Sequence, residues 1–208
     1  MNPAREEIMN KLKGAVHPVP EKPDFEEPIY HSIDLPLELA FKENLEKVNG
    51  FVHLFQSEEE LYTALKEFLS SHKKEVVFCN EDEISGQLNA FEIQFQQSSE
   101  LSKEIEVGIT GCEFLIAHTG SAMVSSAQKG GRQMFVYPPL HIIIAHKNQL
   151  VDYLEKAYTG ILEKYQDNLP SQIALITGPS RTADIEKTLV LGAHGPRELR
   201  VFVNNGNL

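Results

Sequence analysis

Residues 173–197, with the sequence IALITGPSRTADIEKTLVLGAHGPR, predict a strand, a turn and a helix in immediate succession. The apolar run at 173–176 is typical of a buried strand. Gly178 permits backbone conformations that other residues rarely adopt, and Pro179 fixes the direction of the chain after it. The amphipathic segment that follows predicts a helix over 182–191. A strand that runs directly into a turn and a helix indicates an α/β fold.

The same alternation extends over residues 37–208, which we interpret as one α/β domain. Helical spacing of apolar residues predicts helices at 35–50, after the capping residue Ser57, at 81–89 and at 148–166. Apolar runs predict strands at 51–55, 75–80, 106–110, 113–119, 133–137, 141–146, 173–177 and 199–203. This pattern favours a Rossmann-like, mostly parallel sheet with flanking helices and some antiparallel content.

Residues 1–36 form a separate region in this interpretation. Six of the 11 prolines lie before residue 37, so most of the region cannot adopt regular secondary structure. Residues 4–14 predict a short helix, and an extended arm follows it. The arm either packs over the domain or reaches a partner subunit in a homo-oligomer.

Charge and composition exclude several classes of protein. A net charge of −11 argues against a nucleic-acid or anionic-membrane binder, because either needs a basic face. No apolar run approaches the roughly 20 residues of a membrane span, and no signal peptide precedes the domain, so we expect a cytoplasmic protein. The two cysteines form no CxxC, and no HExxH, Walker A or GxGxxG motif occurs. We therefore expect no metal site and no cofactor on this chain.

The first candidate site is the bend at residues 178–184. Gly178, Ser180, Arg181 and Thr182 place hydroxyls and a guanidinium where a strand ends and a helix begins, an arrangement that suits an anion. The carboxyl edge of a sheet is also where α/β folds bind ligands. Asp184, in the first helical turn, either complements the helix dipole, pairs with Arg181 or accepts hydrogen bonds from ligand hydroxyls. Thr182 is equally interpretable as a helix cap, and a purely structural turn remains open.

The second candidate site is the bend at Thr119, Gly120 and Ser121, which also follows an apolar strand. A glycine allows a ligand to approach the backbone, and the neighbouring hydroxyls can hydrogen-bond to it. We expect the two bends to converge on one pocket for a small polar ligand.

Three further residues are candidates for proton transfer. His141 follows Pro138-Pro139 at the start of a strand, and His194 lies between two glycines just after the predicted helix at 182–191. Glu106 stands at the head of a strand, where it is able to act as acid, base or hydrogen-bond acceptor. A structural role is the alternative for the two histidines.

Together, TGPSRTADIE, LVLGAHGPREL, EVGIT, IAHTGS and YPPLHI resemble the lactate utilization protein C family, which is built on the LUD domain. The resemblance is strong over residues 105–203 and weaker before them. It implies a fold similar to the NagB/RpiA/CoA-transferase-like group. It also implies a part in oxidising L-lactate to pyruvate beside partner proteins that carry iron–sulfur clusters.

Under that resemblance, Arg181 pairs with a carboxylate, the hydroxyls of both bends donate hydrogen bonds, and His141 or His194 handles a proton. The ligand is then a small anion. Two other functions stay open: a metabolite-sensing or partner-docking module without turnover, and a transferase or ligase of the same fold group.

Overall fold

The computed structural model describes residues 3–15, 30, 32–98, 105–182, 190–191 and 194–206. The chain divides into two compact units, residues 1–32 and 33–208. In the first unit, helix α1 (Pro3–Gly14) has no buried residue. This helix agrees with the prediction for residues 4–14, whereas the predicted arm falls largely at 16–29, outside the described residues.

The second unit contains the strands and the remaining helices. Its described strands are β1 (Phe51–Phe55), β2 (Val77–Phe78), β3 (Val107–Thr110), β4 (Phe114–Ile116), β5 (Ser121–Ser125), β6 (Leu140–His146), β7 (Leu150–Val151), β8 (Ile173–Ile176), β9 (Arg181–Thr182), β10 (Val190–Leu191) and β11 (Glu198–Asn204). Its described helices are α2 (Leu37–Lys47), α3 (Glu58–Ser71), α4 (Asp82–Ala90), α5 (Gly131–Met134) and α6 (Leu154–Tyr165), with a 3₁₀ turn at Lys147–Gln149.

Five strands form a central parallel sheet in the order β1-β11-β6-β3-β2. A second sheet, in the order β7-β4-β5-β8, has antiparallel pairs on both sides of β5. The chain leaves the parallel sheet after β3 and again after β6 to build this second sheet. The prediction of an α/β fold with a mostly parallel sheet and flanking helices is confirmed.

Strand β6 explains how the layers are held together, because it is apolar on both faces. Ile142 and Ile144 pack with helices α3 and α4 on one side of the parallel sheet. Ile143 and Ala145 face α2 and the second sheet on the other side. A third cluster joins the second sheet to α6. A strand buried on both faces has a continuous apolar sequence, which is what HIIIAH shows.

The predicted strand at 133–137 is wrong, and so is the predicted start of the helix at 148–166. Residues 133–137, expected as a strand, contain the end of the short helix α5 followed by a turn, with Met134 and Phe135 buried. The mostly apolar sequence QMFVY is compatible with a strand and with a short buried turn. A run of five residues is too short to show a clear hydrophobic period. The predicted helix at 148–166 is also shorter than expected: it begins at Leu154, after strand β7.

The predicted helix at 182–191 is contradicted at its described ends. Residues 181–182 and 190–191 pair as antiparallel strands β9 and β10, with Thr182 opposite Val190. Backbone hydrogen bonds between the two ends thus replace the helical pattern that the amphipathic sequence suggested. Residues 183–189 lie outside the described part of the chain. Among the described residues, no helix is both long enough and apolar enough to cross a membrane.

Two glycines allow the second sheet to approach the end of α2 closely. A Cβ atom on Gly120, whose φ is +64°, would lie 2.3 Å from the backbone nitrogen of Leu45. A Cβ atom on Gly178, whose φ is +88°, would lie 2.7 Å from the carbonyl oxygen of Val48. Asn44 closes the contact, since its Nδ2 donates to the carbonyl oxygens of Ala117 at 2.9 Å and of His118 at 3.1 Å. Both bends therefore pack against the same helix end.

We predict that Gly120→Ala lowers the free energy of unfolding by about 3 kcal/mol. Left-handed backbone conformation costs a residue with a side chain about 1–2 kcal/mol, and the clash with Leu45 adds about 1–3 kcal/mol. Gly131→Ala is the matched control, because Gly131 also has a φ of +64° but its added Cβ would meet nothing within 4 Å. Urea denaturation of both variants measures the difference. Equal losses would contradict the packing role of Gly120.

Candidate functional site

The structure brings the two predicted bends together. The Oγ of Ser121 lies 2.7 Å from the Oγ1 of Thr177, directly before Gly178. The backbone nitrogen of Ser180 donates to the carbonyl oxygen of Pro196 at 2.8 Å, so the segment around His194 joins them. Hydrogen bonds thus link three parts of the chain here. We call the residues at or next to these bonds, of which Ser121 is buried, the hydroxyl–arginine surface: Thr119, Ser121, Thr177, Ser180, Arg181, His194 and Arg197.

Hydrogen bonding among the described residues leaves the hydroxyl of Thr119 with an unused proton. Ser121 donates to the Oγ1 of Thr119 at 2.7 Å. Since a hydroxyl has a single proton, Ser121 must accept from Thr177. The chain of donors therefore runs from Thr177 through Ser121 to Thr119. Thr119 is exposed, and its own proton is available to a ligand oxygen.

Arginine side chains supply the charge at this surface. Arg181 and Arg197 are both exposed, and neither has an ion pair among the described residues. His194 is exposed as well, and Ser180 is half-buried against Gly195. The structure describes only the backbone of Thr182, and Asp184 lies outside the described residues. Exposed hydroxyl and guanidinium donors that have no carboxylate partner within the described ranges suit a small anion.

The position of this surface differs from the expectation. Strand β8 belongs to the second sheet, so its end does not contribute to the carboxyl edge of the parallel sheet. Instead, the bend contacts Val48, just before β1, and Pro196, just before β11. The placement of this bend at the carboxyl edge of the parallel sheet is thus wrong: the surface lies at the amino edge. Gly120 and Gly178 face helix α2 there.

His141 is separated from solvent. Its side chain is fully buried, and its Nε2 lies 2.8 Å from the Oγ1 of Thr110, which itself donates to the carbonyl oxygen of Gly111. Thr110 therefore accepts from the Nε2–H, while Nδ1 has no partner among the described residues. Burial lowers the pKa of His141 to about 3. The ring is neutral at physiological pH and packs beside Phe135.

Glu106 supports the start of strand β2. Its Oε2 accepts from the backbone nitrogens of Glu75 at 2.9 Å and Val76 at 3.1 Å. These two bonds, with Lys74 nearby, hold the pKa of Glu106 below its ordinary value. In the structure, Glu106 thus accepts hydrogen bonds from the backbone.

A crevice at the opposite, carboxyl edge of the parallel sheet was missed by the sequence reasoning. It encloses about 310 Å³ beyond the ends of β2, β3 and β6. The side chains that line it are mostly polar, and include Glu58, Glu81, Glu83, Glu113, Gln87, Gln128, Tyr62, His146, Lys164 and Tyr165. Open α/β sheets bind ligands outside the carboxyl ends of their strands, so this crevice is a second candidate site.

Glu113 is the most tightly held carboxylate of the crevice, with a side chain that is 1% exposed. Its Oε1 accepts from Ser125 at 2.6 Å and from Tyr165 at 2.7 Å. Its Oε2 accepts from the Nζ of Lys164 at 2.7 Å. Burial alone would raise the pKa of Glu113, but these hydrogen bonds outweigh it and lower the pKa. Glu113 is therefore a fixed anion.

Glu81 has the opposite character. Its Oε1 accepts from the backbone nitrogen of Gly111 at 2.8 Å, while Oε2 has no hydrogen bond among the described residues. Burial raises the pKa of Glu81, and the charges of Glu113 and Glu83 act in the same direction against the hydrogen bonds from Gly111 and Gln128. Two carboxyl groups of the crevice thus favour different protonation states.

The sequence did contain a signal for these two residues. Glu81 follows the predicted strand at 75–80, and Glu113 comes soon after the strand at 106–110. Parallel neighbouring strands bring such residues to one edge. The signal was hidden because Glu81 also fits the first turn of a helix, and Glu113 fits the start of the next strand.

The two cysteines are buried free thiols. Burial raises the pKa of Cys79 to about 11 and raises the pKa of Cys112 further. The described residues contain no group of three or more His, Cys, Asp or Glu arranged to hold a metal ion.

Comparison with known proteins places this architecture in a family. The model of the LUD domain family matches residues 39–203. A crystal structure of a DUF162 family protein from Deinococcus radiodurans has the same fold, with a TM-score of 0.60 and 19% sequence identity over 80% of this chain and 95% of that chain.

Curated relatives match about half of the chain. An uncharacterized protein of Neisseria meningitidis is 37% identical over 50% of this chain and 44% of its own length. Proteins named lactate utilization protein C are 35% identical in Bacillus licheniformis, over 46% of this chain and 40% of theirs, and 34% identical in Geobacillus thermodenitrificans, over 52% and 46%. The chain thus matches less than half the length of each of these relatives.

We predict that His141 makes the protein sensitive to acid. The unfolded histidine titrates near its ordinary pKa, whereas the folded one stays neutral to about pH 3. The unfolded state therefore binds the extra proton, and stability falls as the pH drops below about 6.5. Between about pH 6.5 and 4, the wild type should lose about 2–3 kcal/mol more than His141→Gln. Chemical denaturation of both proteins across this pH range measures the difference in stability. Parallel profiles of stability against pH for the wild type and the variant would contradict the prediction.

Proposed function

Because the chain belongs to the LUD domain family, we propose that it is a component of an L-lactate utilization system, which oxidises L-lactate to pyruvate. The observation that carries the proposal is the similarity to proteins named lactate utilization protein C in two organisms. These matches span less than half of each relative, so the proposal concerns the part that this chain shares with them.

The hydroxyl–arginine surface supports the binding of a small carboxylate. Thr119 offers a hydroxyl proton, and the exposed guanidinium of Arg181 offers two parallel N–H groups, which match the two oxygens of a carboxylate. Arg197 adds a second positive charge to the same surface. In this proposal, Arg181 pairs with the carboxylate of the ligand, and Thr119 donates to one of its oxygens.

The electron-transfer part of the oxidation is assigned to iron–sulfur partner proteins. Cysteine thiolates are the usual ligands of such clusters, which commonly need four of them. This chain has two cysteines, and both are buried thiols whose raised pKa disfavours the thiolate. Removal of the gene should abolish growth on L-lactate as the sole carbon source, and the chain should co-purify with cysteine-rich proteins. Normal growth of the deletion strain would overturn the proposal.

We predict that Arg181→Ala abolishes growth on L-lactate while the protein stays folded. The side chain is exposed and has no ion pair among the described residues, so its loss removes a ligand contact rather than a packing contact. Loss of a charged hydrogen-bond pair should weaken ligand binding about tenfold or more. Growth rate on L-lactate and circular dichroism of the variant measure the two effects.

Arg132→Ala is the matched control for this test. Arg132 is also exposed, and it donates to Ser171, which lies before the other end of strand β8. Growth should be unchanged in this variant. Normal growth of the Arg181 variant, or equal loss in both variants, would contradict the role of Arg181.

A further inference from the structure

The crevice at the carboxyl edge does not suit an anion. Four carboxyl side chains line it, namely Glu58, Glu81, Glu83 and Glu113. Among the described residues that line the crevice, Lys164 is the one with an ammonium group. This group already forms an ion pair with Glu113 at 2.7 Å. A cleft lined by charges of one sign attracts ligands of the opposite sign. A free carboxylate such as lactate is therefore repelled from this crevice, which makes it distinct from the hydroxyl–arginine surface.

The chain itself shows what this crevice attracts. The ammonium group of Lys164 lies against the carboxylate of Glu113 and 5.2 Å from the centre of the Tyr165 ring. Aromatic faces and carboxylates both stabilise an ammonium ion. The Lys164 side chain is 57% exposed, whereas that of Glu113 is 1% exposed. The ion pair therefore joins a buried carboxylate to an ammonium group on the solvent side. This is the contact that a bound amine would make.

Glu81 is the residue of the crevice with spare binding capacity. Its Oε1 is fixed by the backbone nitrogen of Gly111, which sets the direction of the carboxyl group. Its Oε2 has no hydrogen bond among the described residues, and no ion pair neutralises the group there. An ammonium group has three donors and no acceptor, so it complements an oxygen with free lone pairs.

We propose that this crevice is a binding site for a small organic amine, with Glu81 as the residue that binds its ammonium group. The volume of about 310 Å³ suits a ligand of a few heavy atoms. Where the pH is low enough for Glu81 to be protonated in the empty crevice, its carboxyl group becomes a carboxylate beside the ammonium ion, and the proton goes to solvent. The proposal does not depend on a role in lactate utilization.

Several charged or titratable groups act on Glu81 when it titrates. They lie on the elements packed around the crevice: Glu58 and Tyr62 of α3, Glu83 of α4, Cys112 and Glu113 after β3, His146 at the end of β6, and Lys164 and Tyr165 of α6. Their negative members favour the protonated form of Glu81 in the empty crevice. A cation bound beside Oε2 favours the ionised form, which is why binding should expel a proton.

Calorimetric titration of the full chain with cadaverine tests the proposal, since this linear diamine stays protonated up to neutral pH. Measurements in two buffers of different ionisation enthalpy count the protons released. We expect binding to release protons at acidic pH, because burial raises the pKa of Glu81 in the empty crevice, and to release fewer as the pH rises. In Glu81→Gln, binding should weaken about tenfold and proton release should vanish. Glutamine retains the acceptor for Gly111, so the fold is preserved.

Two other variants sharpen the test. Glu60→Gln is the matched control, because Glu60 also accepts one backbone N–H, from Gln56, but does not line the crevice. Its binding should stay within about twofold of the wild type. Lys164→Met should bind cadaverine about tenfold more tightly, because Glu113 and the Tyr165 ring become available to the ligand. A gain of affinity cannot result from misfolding.

Three outcomes would overturn the proposal. The first is that the wild type does not bind cadaverine. The second is that Glu81→Gln binds it as tightly as the wild type and releases as many protons. The third is that Lys164→Met shows no gain in affinity for cadaverine. Displacement of cadaverine by L-lactate would also overturn it, because an anion would then occupy the crevice. None of these results bears on growth on L-lactate, so failure here is distinguishable from failure of the proposed function.

Discussion

The parallel pairing of strand β6 with both of its neighbours is the constraint on which the rest of the molecule depends. β6 pairs with β3 on one side and with β11 on the other, both in parallel. Parallel neighbours need connections that cross from one edge of the sheet to the other. This chain uses the connections around β6 to build its second sheet, so the same central strand contributes to two cores, one on each face.

Parallel strands also give the two edges of the sheet different chemistry. All carboxyl ends lie together, and the glutamates that follow β2 and β3 meet there around a crevice. The amino ends lie at the other edge, where the bends of the second sheet add hydroxyls and arginines. The acidic crevice and the exposed arginines Arg181 and Arg197 therefore belong to different edges of one small domain. The net charge of −11 reveals neither, because it sums over both edges.

Close packing, rather than ligand access, explains the glycines of the two bends. Gly120 and Gly178 allow the bends to contact the end of α2, and Asn44 holds the contact by two hydrogen bonds. This packing also brings the neighbouring hydroxyls of Ser121 and Thr177 within hydrogen-bond distance of each other. The glycines therefore affect the surface only through the residues beside them, because their own Cα atoms pack against the end of α2.

The sequence by itself determined the α/β class, the main strands and the family, because apolar periodicity and the motifs of residues 105–203 are local properties. It also indicated that residues around 120 and 178 belong together. Only the tertiary structure decided that β8 joins a second sheet, that His141 is buried against Thr110, and that Glu81 and Glu113 share a crevice. Those facts depend on strand partners far apart in the chain, and on burial that no local pattern of residues specifies.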